Sequence, residues 1–291
     1  MIYLLKLFIY PLSLLPLRAI RTILYPIKFL LKYILNYRKD IVLKNLQIAF
    51  PNKEQIFYQK VLSQFYENLF FLITESVKSF TISEKEAARR MQVLNPEVLD
   101  VYAEKGQSTI MMFGHFNNWE WTPLSCPSQI KHQIAAIYQP LKNKVINDWI
   151  MNNRSRTGVI MMSTKETNSF YANNQLCISN TFIADQSPSK KGGGEWVNFF
   201  DRKTLFLAGA AVQAQRNEHP VVFIDIQRTS AGYYTINIDP LALNPAKLST
   251  NEITQRFATR LEQQIIANPG SWLWSHNRWK HDFDKSKKTD V

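Results

Sequence analysis

The sequence predicts an α/β protein in which a mixed, largely parallel sheet is flanked by helices, with an amphipathic helix at the N-terminus. Beyond residue 109, short apolar runs of strand length alternate with helical patterns, and this alternation is typical of parallel sheets with helical connections. The 291 residues are enough to bury a full core, as one large domain or two modest ones. A hydrophobic content of 45% with 20% charged residues indicates a folded protein.

Residues 1–38 differ from the rest and predict a membrane-associating helix. Four cations lie on one stripe of this helix, and its apolar residues face elsewhere. This pattern is typical of interfacial helices, whose cations point toward lipid phosphates. The four cations are Arg18, Arg21, Lys28 and Lys32. A complete span and an amphipathic helix docked on the protein's own core are the alternatives. The longest uncharged run, Leu7 to Leu17, has eleven residues, whereas a span needs about 20. A cleaved signal peptide matches poorly, because no small-x-small site is present and basic residues recur to the end.

Residues 39–281 are predicted to form the folded domain, and residues 282–291 a disordered tail. A long amphipathic helix is expected at 53–80, because apolar residues recur there every three or four positions. Shorter helices are expected at 118–126, 142–155, 165–173, 206–217 and 250–267. The expected strands are Thr109–Phe113, Gln133–Tyr138, Val159–Met161, Leu176–Ala184, Val221–Gln227 and Tyr233–Ile238.

Charge and cysteine content limit the partners. The net charge of +12 favours an anionic partner, which can be nucleic acid, an acidic substrate or a membrane with anionic lipids. The two cysteines, Cys126 and Cys177, have no metal-ligand spacing and make a disulfide framework unlikely. We expect neither a metal nor a cofactor.

The stretch GHFNNWEW, residues 114–121, places an ionisable histidine and a glutamate where a strand is expected to end and a helix to begin. Ligands and chemistry collect at such strand ends in open α/β sheets. Glu120 is expected to bond one ring nitrogen of His115, leaving the other free to take a proton from a substrate hydroxyl. N–H groups near residues 117–119 can then stabilise an oxyanion. The alternative is a satisfied core histidine beside a glutamate that is favoured by the helix dipole.

Several further segments, in order, resemble the lipid A biosynthesis (late) acyltransferases, which belong to a lysophospholipid-acyltransferase-like superfamily with an HX4(D/E) motif. GHFNNWE resembles the family's GHxGNWE box. The other matching segments are YQPLKNKVINDWIMNNRSRTG (138–158), IADQSPSKKGGGEWVNFF (183–200), NEHPVVFIDIQR (217–228), PGSWLWSHNRWK (269–280) and the opening LPLRAI…YRKDIVLKNLQIAFPNKE (15–54). The similarity covers nearly the whole chain.

The resemblance implies a glycerolipid-acyltransferase-like fold and an acyltransferase that transfers groups other than aminoacyl groups. The donor would be an acyl-thioester, on acyl carrier protein or coenzyme A, and the acceptor a hydroxyl of a lipid A precursor. His115 would be the general base with Glu120 as its partner, without a covalent acyl-enzyme. The expected location is the cytoplasmic face of a bacterial inner membrane, bound peripherally or by a single N-terminal helix. The alternatives are an acyltransferase for another lipid (a lysophospholipid, an aminoacyl lipid or a phosphatidylinositol mannoside) and a non-catalytic lipid-binding protein.

Three positions depart from the family pattern. Asn117 replaces a usual glycine, Asn198 stands where proline is common, and Asp201 stands where glycine is common. We expect the first to affect the turn beside the base, and the other two to affect acceptor or chain-length choice.

The remaining candidate substrate-binding residues are Asn117, Asn118, Arg154, Asp185, Gln186, His276 and Arg278. The guanidinium of Arg154 suits a phosphate, although a solvated helix end is also possible. Asp185, at a sheet edge, can bond a sugar or cap the next loop, and Gln186 lies beside it.

Two segments remain. KKGGGEW (190–196) can close over a phosphate or be a plain surface loop, and it is not a Walker loop. The C-terminal cluster of Trp272, Trp274, Trp279, His276 and Arg278 can contact substrate, pack under the site or stack on nucleic acid. Nothing else favours nucleic acid, and none is expected.

Overall fold

The structure is a computed structural model that describes residues 2–173, 176–189 and 192–283. Its α-helices are α1 (Ile2–Leu14), α2 (Leu17–Phe29), α3 (Lys39–Ala49), α4 (Gln55–Lys78), α5 (Glu84–Arg90), α6 (Glu97–Ala103), α7 (Thr122–Ser125), α8 (Lys144–Ser155), α9 (Thr167–Asn173), α10 (Gly209–Asn217) and α11 (Thr250–Ala267). Helix α2 continues as one π-helical turn over Leu30–Ile34. The predicted tail lies outside the described residues from position 284 onward, and so do Lys190 and Lys191 of the glycine-rich segment.

A seven-stranded mixed sheet forms the centre of the fold. The described residues form nine strands, seven in this sheet and two in a separate hairpin. They are β1 (Met91–Val93), β2 (Thr109–Phe113), β3 (Gln133–Tyr138), β4 (Ile160–Ser163), β5 (Ile178–Ile183), β6 (Gly194–Phe199), β7 (Arg202–Leu207), β8 (Val221–Ser230) and β9 (Tyr233–Ala242). Their order in the sheet is β1-β9-β8-β2-β5-β3-β4, and β6 with β7 forms a separate antiparallel hairpin. Five neighbouring strands are parallel, while β9 runs antiparallel to β8 and β1 runs parallel to β9. The predicted fold class is therefore confirmed.

Helices cover both faces of this sheet. On one face, α3, α10, α11 and part of α4 enclose a core that includes Phe223 and Phe257. On the other, α5, α6 and α7 enclose a second core around Trp121 and Met111. Strand β2 is buried along its whole length, as expected for the central strand of a sheet that is covered on both faces.

All six predicted strands are present: β2 and β3 have the predicted bounds, and the ends of the other four differ from the prediction by at most four residues. Helix α11 has the predicted bounds because Ser249 and Glu252 form a capping box at its start. The helix predicted at 118–126 is instead a 3₁₀ turn at Trp119–Trp121 followed by the four-residue α7. The helix predicted at 206–217 begins only at Gly209, because the preceding residues belong to β7.

The N-terminal helices pack against α4. Buried side chains of α1 and α2, among them Leu12, Ile20 and Leu24, contact Phe70 of α4. Cations of α2 also face α4: Arg21 binds Glu75 and Lys28 binds Glu67. The expected orientation, with the whole basic stripe toward lipid phosphates, is therefore wrong. Acidic side chains on α4 attract part of the stripe, so this helix docks on the protein's own core.

The opposite side of the N-terminal helices is apolar and exposed. Side chains that are more than half exposed include Leu7, Phe8, Leu14, Ile23 and Phe29. Several exposed apolar side chains on neighbouring helices favour an interaction surface on this side. The described residues contain no helix whose length and hydropathy together suit a bilayer span.

Candidate active site

The central feature of the site is a histidine–aspartate pair at the carboxyl ends of two adjacent parallel strands. In the register of β2 with β5, Phe113 lies opposite Ile183. Two residues further along each strand, His115 and Asp185 face each other. Nδ1 of His115 lies 2.6 Å from Oδ1 of Asp185, and the backbone N–H of His115 donates to Oδ2 at 2.9 Å. The strand pairing thus brings together two side chains that are 70 residues apart in sequence.

Gly114 allows this close approach. A Cβ atom at position 114 would lie 2.7 Å from Cδ1 of Leu261 and 3.3 Å from Oδ2 of Asp185. Both distances are shorter than ordinary van der Waals contacts, and the first is a clash. Glycine therefore suits this position because space is limited.

Asp185 is ionised and oriented by several donors. It is 2% exposed, and Nε1 of Trp272 donates to Oδ2 at 2.7 Å. Burial raises the pKa of Asp185, but the charge and hydrogen bonds of His115 and the bond from Trp272 outweigh it, so the pKa lies below its ordinary value. A carboxylate can only accept hydrogen bonds. Nδ1 of His115 therefore carries the proton, and Nε2 is left as an acceptor.

The reactive edge of His115 is accessible. Its side chain is 19% exposed, and the indole of Trp119 packs against the ring edge-on, with 4.8 Å between ring centroids. Within the described ranges no protein group forms a hydrogen bond with Nε2. A substrate hydroxyl can therefore approach this nitrogen, as a general base requires.

Glu120 does not bond the imidazole in this structure. Its carboxylate binds Arg154 of α8 in a two-oxygen contact, with Nη2 at 2.6 Å from Oε1 and 2.7 Å from Oε2. The expected hydrogen bond between Glu120 and His115 is therefore wrong, because Nδ1 of His115 is bonded to Asp185 instead. Arg154, which was expected to bind phosphate, binds the carboxylate of Glu120. Both members of the Glu120–Arg154 pair are about one quarter exposed, so the pair borders the site and remains reachable by a ligand.

The loop after His115 is held by backbone pairing with the C-terminal segment. Asn117 has φ of +52°, a left-handed conformation in which glycine is favoured and asparagine is tolerated best among other residues. The departure from the family's glycine therefore preserves the turn. The N–H of Asn117 donates to the carbonyl of Ser271, so it is not free for an oxyanion as expected. Asn118 caps the 3₁₀ turn by accepting from the N–H of Trp121.

Asp201 shows the same relation to the family pattern. It has φ of +53° in the turn between β6 and β7, where the family commonly has glycine. The third departure, Asn198, lies on β6 and bonds Gln255 of α11 through its backbone.

The C-terminal segment packs against the elements that carry the His115–Asp185 pair. Nε2 of His276 accepts from the N–H of Ser187, and burial lowers the pKa of His276 to about 4. Arg278 is 1% exposed and lies over the ring of Phe206, with one nitrogen bonded to the carbonyl of Leu205. Burial lowers the pKa of Arg278 to about 9, although nearby Asp185 raises it. Arg278 therefore lies beneath the site, and a direct contact with substrate stays a prediction, as it does for His276.

The indoles of the C-terminal cluster also face inward. Trp272, Trp274 and Trp279 are at most 5% exposed, and each donates a hydrogen bond to a protein acceptor. Gln186, next to Asp185, is partly exposed, and its substrate contact also stays a prediction. Sequence reasoning left open whether the tryptophans pack or bind, and it did not assign Trp272 to Asp185.

An apolar cavity opens beside the site. Its volume is about 30 Å³, which is room for about one water molecule. Its walls include Phe113 of β2, Ala136 of β3, Thr122 and Cys126 near α7, and Ile238 of β9. Because Phe113 precedes His115 by two residues, the cavity begins close to the candidate base. Such a lining suits a hydrocarbon chain.

A family model described as bacterial lipid A biosynthesis acyltransferase matches residues 1–281. The match confirms the resemblance that the sequence segments carry. No curated protein matches the chain.

Proposed function

Because the chain belongs to the bacterial lipid A biosynthesis acyltransferase family, we propose that it transfers a fatty acyl chain from an acyl-thioester to a hydroxyl of a lipid A precursor. The observation that carries the mechanism is the 2.6 Å contact between His115 and Asp185. This contact fixes the tautomer in which Nε2 accepts a proton.

In the proposed reaction, Nε2 of His115 takes the proton of the acceptor hydroxyl while its oxygen attacks the thioester carbonyl. Asp185 stabilises the resulting imidazolium through Nδ1–H. When the tetrahedral intermediate collapses, the new C–O bond is kept and the C–S bond breaks. The imidazolium returns its proton to the departing sulfur, so the enzyme ends in its starting state without a covalent acyl-enzyme.

We assign Glu120 and Arg154 a role in binding the acceptor. Their partial exposure and their position beside the His115 loop favour contact with a polar head group. A phosphate of the acceptor can compete with Glu120 for the guanidinium, because phosphate accepts two hydrogen bonds from arginine in the same way as a carboxylate. Of the loop N–H groups near 117–119, those of Asn118 and Trp119 remain as candidates for the oxyanion.

The apolar cavity is proposed as the place where the acyl chain enters, and because its volume is only about 30 Å³, the side chains of its walls must move apart to admit a chain. Its lining is apolar and it begins beside Phe113, so a thioester carbonyl near His115 would extend its chain away from solvent. Burying each methylene contributes about 0.8 kcal/mol, which favours such a site over exposure of the chain to water. Burial raises the pKa of the Cys126 thiol in this wall to about 12, so this cysteine acts as an apolar wall residue.

The donor and the location remain parts of the proposal. The net charge of +12 suits an acidic acyl carrier protein, with coenzyme A as the other possible carrier. The exposed apolar side chains of α1 and α2, such as Leu7 and Ile23, support binding to the cytoplasmic face of the bacterial inner membrane.

The lipids of a deletion strain test this function. Without the protein, we expect a lipid A species that lacks one acyl chain, and complementation with the wild-type chain should restore it. Complementation with His115→Ala should not, because general base catalysis contributes about 10²–10⁴-fold. Loss of a chain from another lipid class would favour the alternative acyltransferases. Full restoration by His115→Ala, at matched protein levels, would contradict the mechanism and favour a non-catalytic role.

A further inference from the structure

A buried carboxylate joins the N-terminal helix to the loop that carries the candidate base. Glu75 of α4 is fully buried, and it lies where α4 passes between α2 and the His115 loop. An ionisable group in such a place must have partners, because burying an unpaired charge costs several kcal/mol. Its contacts therefore indicate what the residue holds together.

One oxygen of Glu75 binds the N-terminal helix. Nη2 of Arg21 lies 2.6 Å from Oε1, and the side chain of Arg21 is only 14% exposed. The guanidinium also lies over the ring of Phe71, with its central carbon 4.6 Å from the ring centroid. The contact is thus a largely desolvated ion pair, in which removal of one partner is costly.

The other oxygen binds the loop. Nδ2 of Asn118 donates to Oε2 of Glu75 at 2.8 Å, and the hydroxyl of Tyr234 donates to the same oxygen at 2.6 Å. The backbone carbonyl of Glu75 accepts from Nε1 of Trp121 at 2.9 Å. Asn118 and Trp121 bracket the 3₁₀ turn that contains Trp119 and Glu120. One residue of α4 therefore fixes both ends of this turn.

We propose that Glu75 is a positioning residue that couples the seating of α2 on α4 to the geometry of the catalytic loop. Arg21 lies on the side of α2 that faces α4, where Glu75 binds it. Apolar side chains of the same helix, such as Ile23, are exposed on the opposite side. Burial raises the pKa of Glu75, and the charges of Arg228 and Arg21 oppose this rise. A shift of α2 would pull Arg21 away from Oε1 and leave the buried carboxyl with Arg228 as its remaining nearby cation among the described residues. Glu75 and its bond to Asn118 would then rearrange, moving Trp119 relative to His115. The inference rests on the proposed function for its catalytic consequence, but the coupling itself is a property of the fold.

The molecule supplies a matched control for this coupling. Lys28 also lies on α2 and binds α4, through Glu67. Glu67 is 41% exposed and has no described contact with the His115 loop. Arg21→Gln and Lys28→Gln thus each remove one cation and one ion pair between the same two helices, but only the first loses a connection to the loop.

The experiment compares the two variants in the purified, full-length chain by hydrogen exchange and by acyl transfer. We expect Arg21→Gln to speed amide exchange in the peptide spanning 114–121 at least about tenfold, because its anchor is loosened. Lys28→Gln should leave that peptide unchanged. Turnover should fall about tenfold or more in Arg21→Gln, with a smaller change in KM, since small misplacements of catalytic groups lower the rate of the chemical step. Lys28→Gln should retain wild-type turnover.

A second variant, Glu75→Gln, keeps the shape and an acceptor for Asn118 while removing the charge. If Arg21 acts through Glu75, the effects of Arg21→Gln and Glu75→Gln on loop exchange will not add, whereas those of Lys28→Gln and Glu75→Gln will. Equal effects of Arg21→Gln and Lys28→Gln on the 114–121 peptide would overturn the proposal. If Glu75→Gln does not fold, the comparison of the two α2 variants still decides. If the wild-type chain shows no transfer, the proposed function fails, while hydrogen exchange still tests the coupling.

Discussion

Replacing Asp185 by asparagine is the sharpest test of how the base is prepared, because the change keeps the shape of the side chain. Oδ2 of Asp185 accepts two hydrogen bonds, from the backbone N–H of His115 and from Nε1 of Trp272. Among the described residues, Oδ1 has its hydrogen-bond contact with Nδ1 of the imidazole alone. An asparagine has one oxygen for these two positions. We expect it to place the oxygen toward the two donors and its NH2 group toward Nδ1.

In that arrangement Nδ1 must become the acceptor, and the ring proton moves to Nε2. His115 then holds the wrong tautomer to remove a proton from a hydroxyl. The opposite orientation of the amide would leave two buried donors facing an NH2 group, at about 1–3 kcal/mol each, or about 2–6 kcal/mol together. Because 1.4 kcal/mol corresponds to tenfold, the reactive tautomer becomes about 30-fold to 10⁴-fold rarer.

The assay is steady-state acyl transfer by purified Asp185→Asn, together with NMR of the imidazole nitrogens of His115. We expect kcat/KM to fall by about 30-fold to 10⁴-fold and the ring proton to move from Nδ1 to Nε2. Glu120→Gln is the matched control: it should leave the proton on Nδ1, because Glu120 contacts Arg154 and not the ring. Thermal melting verifies that both variants are folded. Activity of Asp185→Asn within about fivefold of wild type, or a tautomer change in Glu120→Gln, would refute the reasoning.

Two further predictions concern the surroundings of the pair. Burial lowers the pKa of His276 from 6.5 to about 4. Between pH 6.5 and pH 4 the unfolded chain therefore binds more protons than the folded protein, so the free energy of unfolding decreases as the pH falls through this range. In urea unfolding, His276→Gln should reduce this loss by up to about 1.4 kcal/mol per pH unit, and parallel pH curves for the two proteins would contradict the assignment. For Gly114→Ala, the new Cβ would meet Leu261 at 2.7 Å, so we expect about 1–3 kcal/mol of destabilisation by overpacking and lower turnover. Wild-type stability and turnover in Gly114→Ala would show that the space is not limiting.

The elements that sequence reasoning placed well are those whose signals are local. Strand β2 is an uninterrupted apolar run, and α11 begins at a capping box formed by Ser249 and Glu252. The helix predicted at 118–126 is instead a 3₁₀ turn capped by Asn118 and the short α7, which ends just before Pro127. The β6–β7 hairpin was missed, since its turn uses Phe200 and Asp201 in left-handed conformations that carry no glycine signal.

The pairing within the site could not be read from local sequence. His115 and Glu120 are close in sequence, which favoured them as partners, whereas the contact of His115 with Asp185 depends on which strands are neighbours. His115 stands two residues beyond one predicted strand and Asp185 one residue beyond another, so their proximity follows once β2 and β5 are known to pair in register. The role of Glu75 was also out of reach, because its partners come from α2, the His115 loop and β9.

Acyl transfer by the purified chain is the reaction that we propose, and it can be measured in vitro. The wild-type protein is mixed with an acyl-thioester on acyl carrier protein and a lipid A precursor, and both the thiol released and the acylated glycolipid are quantified by mass spectrometry. We expect one acylated hydroxyl per thiol released, and we expect His115→Ala to lose turnover. Thiol release without glycolipid acylation, or equal transfer by wild type and His115→Ala, would contradict it.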